Sequence, residues 1–336
     1  MMKLNIKNKD HFTLYGSTAL NEPGFKRFSD KELESIKDIA PKVYHLARES
    51  SGIQAHFMSD SSIIIASVVC GKAHGMTNSS PLGQLGVDLY VFDEAVKQYV
   101  LCGIGRPQLH LTKYETILAE FDDRKMRKFI LNLPLLTPVQ SLTLTFEDGQ
   151  VLPVKEDKKK IMMYGTSIMH GACASRPGMS YTNILSRRLN VEVLNYGFNG
   201  SAYNEKEIAK ILSKREVDLF IIDSEANSGD GYLIDRLDTF IDAFRETQPN
   251  TKIIVTNRIP FIKDYYSKEQ QERKQRHEAF LNDFSKRRSD IDYYDVYSKL
   301  KYDLDITSDG VHPSDYGMVK LADIFEAIIK PYITNK

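Results

Sequence analysis

Tryptophan is absent from this 336-residue chain, and cysteine nearly so, with only Cys70, Cys102 and Cys173. Three thiols at these spacings make neither a disulfide framework nor a zinc site. Cys70 and Cys102 sit in apolar, strand-like runs and read as small core residues. Cys173 would need a partnered, exposed thiolate to act in catalysis. Net charge is missing too, since 45 basic residues balance 45 acidic ones. No overall field draws in nucleic acid or an anionic membrane surface, so neither is expected as a partner. No apolar run approaches the roughly 18 residues that span a bilayer. Met1-Met2-Lys3-Leu4-Asn5-Ile6-Lys7 has no apolar segment behind its basic residue, so it does not read as a signal peptide. As it stands the sequence is expected to be cytoplasmic; a secreted parent whose signal has been removed is the alternative. H-E-x-x-H, the P-loop pattern and G-x-G-x-x-G are all missing, so nothing points to zinc proteolysis, ATP use or dinucleotide binding. No metal and no organic cofactor is called for, and nothing sets an oligomeric state. The lack of tryptophan does not exclude sugar binding, because 18 Tyr and 16 Phe remain to stack on a sugar ring.

What is present is ordinary globular material, 42% hydrophobic and 27% charged, in a chain long enough for one very large domain or two. After a polar, loop-like start, a helix is expected from Asp30 to Glu49, opened by the Ser29/Glu32 capping box and broken or kinked at Pro41. From Ser51 the period changes. Seven short runs, from Ile53-Gln54-Ala55-His56-Phe57 to Ser141-Leu142-Thr143-Leu144-Thr145-Phe146, have no helical pattern between them and predict an antiparallel, jelly-roll-like β-sandwich. Asp148-Gly149 reads as the turn closing the last strand pair. His56, His74 and His110 have no second ligand at metal spacing and read as structural or surface residues. The charged run Lys155-Glu156-Asp157-Lys158-Lys159-Lys160 reads as a solvated linker, dividing the chain into residues 1–155 and 156–336.

Beyond it strands and helices alternate. Strands are predicted at 160–165, 191–195, 217–222, 252–256 and 291–295, and helices at 179–189, 205–214, 231–247, 267–287 and 315–331. Near-continuous apolar strands between amphipathic helices mean a parallel sheet covered on both faces, with its site at the C-terminal strand ends. Ser167 follows the first strand, Gly200 the second and Asn227 the third; Asp309 and His312 share the last loop. His312 is the best base for the Ser167 hydroxyl, and Asp309 can reach the far ring nitrogen. Ser167 N–H, Gly200 N–H and the Asn227 amide are candidate oxyanion donors. The plainer alternatives are a strand-capping Gly-Thr-Ser turn, a turn glycine, a loop-capping Asn and a His that caps the last helix. The nucleophile lacks the G-x-S-x-G elbow, reading Gly165-Thr166-Ser167-Ile168-Met169.

Gly165-Thr166-Ser167, Asn195-x-Gly197-x-x-Gly200, Asn227 and Asp309-x-x-His312 stand in the order of the four conserved blocks of SGNH/GDSL hydrolases, which the C-terminal half resembles. The whole chain is similar to the group with an N-terminal β-sandwich carrying a G-x-D-L-Y motif, here Gly86-Val87-Asp88-Leu89-Tyr90. The resemblance implies a flavodoxin-like three-layer α/β/α domain and metal-free ester hydrolysis by a Ser167–His312–Asp309 triad. It also implies a carbohydrate-esterase-like activity, removal of acetyl groups. Two positions depart from the pattern. Thr166 stands where the first block has Asp, and Glu225 stands where the third has Gly. Glu225 is expected to point away from the site, although a carboxylate there could repel an oxyanion. Arg176 and Glu225 are candidates for contact with substrate, with pairing to an acid the alternative for Arg176. The expected function is thus a serine esterase for small-acyl esters, acetyl above all, of carbohydrates. The alternatives are a catalytically retired carbohydrate-binding protein and an esterase or thioesterase for lipid-like substrates.

Overall fold

In chain order the N-terminal half runs β1 (Met2–Asn5), β2 (Thr13–Tyr15), α1 (Asp30–Ile36), α2 (Pro41–Leu46), β3 (Gln54–Ser59), β4 (Ile63–Cys70), α3 (Pro81–Leu85), β5 (Asp88–Asp93), β6 (Gln98–Ile104), β7 (Lys113–Glu120), β8 (Arg127–Asn132), β9 (Val139–Phe146) and β10 (Val151–Pro153). The computed structural model describes residues 1–333. One antiparallel sheet has the order β1-β9-β4-β7, and a second the order β10-β3-β8-β5-β6, with β2 added beside β3. Along β4 every second residue is buried, the pattern of a strand with one face on a core. Phe57, Val68, Phe129, Leu144 and Phe146 meet in that core, so the sandwich expected from the alternation is present.

The start of the chain differs from expectation. Met2–Asn5 is a strand paired with β9, and Thr13–Tyr15 pairs with β3. These short edge strands have too few alternating residues to stand out in the sequence. Asp148-Gly149 does turn, with Gly149 at φ +82°. It carries the chain from one sheet to the other, because β10 pairs with β3 and not with β9. A short helix, α3, also stands among the strands, capped by Ser80 with Pro81 in its first turn.

Ser29 and Glu32 form the reciprocal cap of α1. Pro41 ends the single helix expected over 30–49 by opening a second at its first position, where the missing N–H leaves nothing unpaired. Leu33, Ile36, Val43 and Leu46 of these helices pack with Tyr196, Phe198 and Phe240 over one face of the C-terminal sheet.

The C-terminal half runs β11 (Lys160–Gly165), α4 (Ser167–His170), α5 (Tyr181–Leu189), β12 (Glu192–Gly197), α6 (Lys206–Leu212), β13 (Leu219–Asp223), α7 (Asp230–Leu233), α8 (Leu237–Arg245), β14 (Lys252–Thr256), α9 (Lys268–Arg287), β15 (Ile291–Tyr294), α10 (Tyr297–Leu300) and α11 (Asp315–Ile333). The helix expected over 231–247 is therefore two. The five strands are parallel, ordered β12-β11-β13-β14-β15, with helices on both faces. This is the flavodoxin-like order. The chain steps from β11 to one side and then returns to the other, leaving a crevice at the C-terminal end of β11.

The charged run before β11 is not wholly solvated. The Lys158 side chain is buried, its ammonium 4.8 Å from the centre of the Tyr15 ring and 3.7 Å from Glu156. Burial pushes its pKa down to about 8. The two halves are also tied by the G-x-D-L-Y motif. The Asp88 carboxylate accepts from the Asn132 amide (2.7 Å), the Gly178 N–H (2.7 Å) and the Arg176 guanidinium (2.9 Å). Among the described residues no helix is long and apolar enough to cross a membrane.

Candidate active site

Ser167 is the first residue of α4, directly after β11, and its side chain stands at the crevice. Ser167 Oγ lies 2.9 Å from His312 Nε2, and His312 Nδ1 lies 2.8 Å from Asp309 Oδ2. Asp309 is held from four sides. Its Oδ1 accepts the N–H groups of Val311 (3.0 Å) and His312 (2.8 Å), and its Oδ2 also accepts from Asn78 Nδ2 (2.7 Å). Burial alone would raise its pKa, but the His312 N–H and imidazole and the Asn78 amide outweigh burial and hold the carboxyl well below the usual range. A hydroxyl, an imidazole and an ionised carboxylate therefore stand in series, the arrangement by which a serine loses its proton.

Gly200 adopts φ +58°, where an L side chain is strained, and an added Cβ would fall 2.4 Å from Lys42 Nζ. Asn227 Nδ2 donates to Ser201 O (3.0 Å), which leaves its second amide hydrogen. Ser167, Asn199, Gly200, Asn227, Val311 and His312 line one cavity of about 560 Å³. The N-terminal half closes it with Lys42, His45 and Leu46 from α2 and with His74 and Met76 from the loop after β4. Of the histidines read as structural or surface residues, His74 is half-exposed on the wall of this cavity, and His56 is fully buried against Gln54. No spacing in the sequence pointed to Asn78, Lys42 or His74, because their partners lie far along the chain.

Arg176 does not line this cavity. It bonds Asp88 and Tyr90 of the G-x-D-L-Y motif. Glu225 is buried and turned to other partners: its Oε2 accepts the Arg258 N–H (2.8 Å) and its Oε1 lies 3.2 Å from His277 Nδ1. Thr166 is buried as the residue that caps α4 in position only, without a side-chain bond to it. Cys173 lies beside the site, and its Sγ, an Asp309 oxygen and a His312 ring nitrogen fall within 4.8 Å of one another. Burial pushes this thiol up to about 11, so it stays neutral, unlike a nucleophilic thiolate.

Asp223, at the end of β13, is buried, and burial first, then the charge of Glu225, pushes its carboxyl from 3.8 up to about 7. Folding favours its neutral form. Its contribution to stability is therefore full below the unfolded value and is lost as pH rises towards 7. Asp223→Asn is expected to raise Tm more at pH 8 than at pH 5; a gain that does not grow with pH would contradict this burial argument.

A family model for GDSL-like lipases/acylhydrolases matches residues 158–330. The chain belongs to that family. The hydrolase is accordingly a carboxylic ester hydrolase. A second model, the N-terminus of SGNH-hydrolase-type esterases, matches residues 4–152. A solved Bacteroides ovatus protein described as a GDSL-like lipase is similar over 100% of this chain and 98% of its own, at 25% identity and a TM-score of 0.89. A salicylyl-acyltransferase from a tetracycline biosynthetic pathway shares the fold at 16% identity and TM-score 0.74, over 96% of this chain and 94% of its own. A family two carbohydrate esterase from Clostridium thermocellum, solved with cellohexaose, does so at 14% identity and TM-score 0.64, over 84% and 93%. No curated protein matches the hydrolase.

Proposed function

We propose that the protein is a serine esterase that removes small acyl groups, acetyl above all, from carbohydrates. The observation that carries this reading is the unbroken line from Ser167 Oγ through His312 to Asp309 at the wall of the cavity. In this reading His312 Nε2 takes the Ser167 proton as Oγ attacks the ester carbonyl. Asp309 fixes the ring tautomer and balances the imidazolium. Ser167 N–H, Gly200 N–H and Asn227 Nδ2 receive the oxyanion; loss of one such donor costs about 10²–10³ in turnover. His312 returns the proton to the leaving sugar hydroxyl. It then takes one from water as that water attacks the acetyl-serine, and gives it to Ser167 Oγ as acetate leaves.

Two further observations favour an active enzyme on a small polar ester. Glu225 is engaged by Arg258 and His277, so its carboxylate does not oppose an oxyanion. The cavity, at about 560 Å³, falls within the usual small-molecule range, and Leu46, Met76 and Val311 give it apolar surface against which a methyl group can rest. The carbohydrate part of the reading draws on the fold shared with the cellohexaose-bound esterase. p-Nitrophenyl esters from acetate to octanoate test the acyl preference. kcat/KM for acetate is expected to exceed that for octanoate by about tenfold or more. Octanoate turned over as well as acetate would transfer the reading to lipid-like esters.

A further inference from the structure

A second carboxylate–imidazole pair faces the cavity of Ser167. His74 Nε2 is hydrogen-bonded to Oε1 of Glu49, with the ring side chain 48% exposed and the carboxylate 2% exposed. Glu49 is held from behind, its Oε2 lying 3.0 Å from Nε2 of the buried His170. His312 stands on Asp309 in the same way. Lys42 adds an exposed ammonium, which donates to Gly200 O at 2.9 Å. Among the described residues, none that lines the cavity is a carboxylate. Glu49 and Asp309 both stand behind their imidazoles.

The bond to Glu49, with its charge, outweighs burial and raises the His74 pKa. Lys42 brings an ammonium to the rim, and His74 a ring whose carboxylate partner Glu49 lies buried behind it; such a rim gives a neutral sugar little, but attracts an anion through a medium less screening than water.

We infer that His74 and Lys42 form an anion-binding rim and that the alcohol part of the ester is an acidic sugar. This rests on the carbohydrate-esterase reading above. The rim comes entirely from the N-terminal half, His74 from the loop after β4 and Lys42 from α2, which packs on the C-terminal sheet, so the N-terminal half selects the substrate while the C-terminal half supplies the chemistry.

The test compares acetylated methyl glucuronoside with acetylated methyl glucoside, using p-nitrophenyl acetate as a third substrate. At low salt, kcat/KM for the acidic ester is expected to exceed that for the neutral one by about tenfold or more, mainly through KM. Raising the salt to about 0.5 M is expected to shrink the ratio several-fold. His74→Gln and Lys42→Gln should each lower the ratio, and together bring it close to one. The ratio is read within one protein sample, so a partial loss of folded enzyme does not move it. A ratio near one in the wild type, with the neutral sugar ester turned over, overturns the inference and leaves the esterase reading standing. A ratio unchanged in both variants removes His74 and Lys42 from the rim and overturns it equally. If neither sugar ester is turned over while p-nitrophenyl acetate is, the carbohydrate reading fails and the inference with it.

Discussion

Ser167→Ala is expected to lower kcat/KM for p-nitrophenyl acetate by about 10⁴-fold or more while leaving Tm close to that of the wild type. The size follows from what the hydroxyl does in the proposed mechanism. Without Oγ no acyl-enzyme forms, and only the oxyanion donors and binding remain to help water. The small effect on stability follows from its contacts. The Oγ bond of Ser167 is to His312, which stays anchored to Asp309 through both its ring and its backbone N–H. The nearest substitute nucleophile, Cys173, is a buried neutral thiol. Initial rates and labelling by a serine-directed phosphonate measure the effect. Turnover within tenfold of wild type, or a labelled alanine variant, would remove Ser167 from its role.

Arg27→Met carries the largest expected effect on stability, a loss of about 3–5 kcal/mol in chemical denaturation. The guanidinium is fully buried. It donates to the carbonyls of Leu46 (2.6 Å), Glu49 (3.1 Å), Asn195 (3.2 Å) and Gly197 (2.6 Å), and it lies 4.8 Å from the centre of the Phe198 ring. Burial lowers its pKa to about 10, which still leaves it charged at neutral pH. Methionine has much of the length and none of the donors. It would remove a buried donor from each of four carbonyls and leave the Glu49 carboxylate without a buried cation nearby. Activity should fall as well, because Asn195 and Gly197 lead into the turn that presents Gly200. A loss below about 1 kcal/mol would mean that water or a local shift satisfies these groups.

The same residue shows where sequence reading stops. Arg27 lies in the short stretch Phe25-Lys26-Arg27-Phe28, with no periodicity to mark it. Its importance comes from carbonyls up to 170 positions away. The burial of Lys158 is hidden for the same reason, since a charged run looks solvated until another element covers it. His74 and Asn78 are cavity and anchoring residues only because the loop after β4 folds over α4 and the Asp309 turn, a contact spanning 231 positions between Asn78 and Asp309.

The layers, the parallel sheet and the places where a site could form are legible in the order of residues along the chain. Strand period, apolar helix faces and Gly, Pro and Ser signals act over a few residues, and such local forces are legible in order along the chain. Asp309 and His312 belong to this class, because three positions within one turn already place carboxylate and ring together. Tertiary structure alone decided that Ser167 meets His312 at 2.9 Å, that Glu225 turns to Arg258, and that Glu49 carries His74 to the cavity rim. Those pairings join side chains on different elements, 25 to 145 positions apart, and no local propensity encodes a partner that only the packing of separate elements brings near.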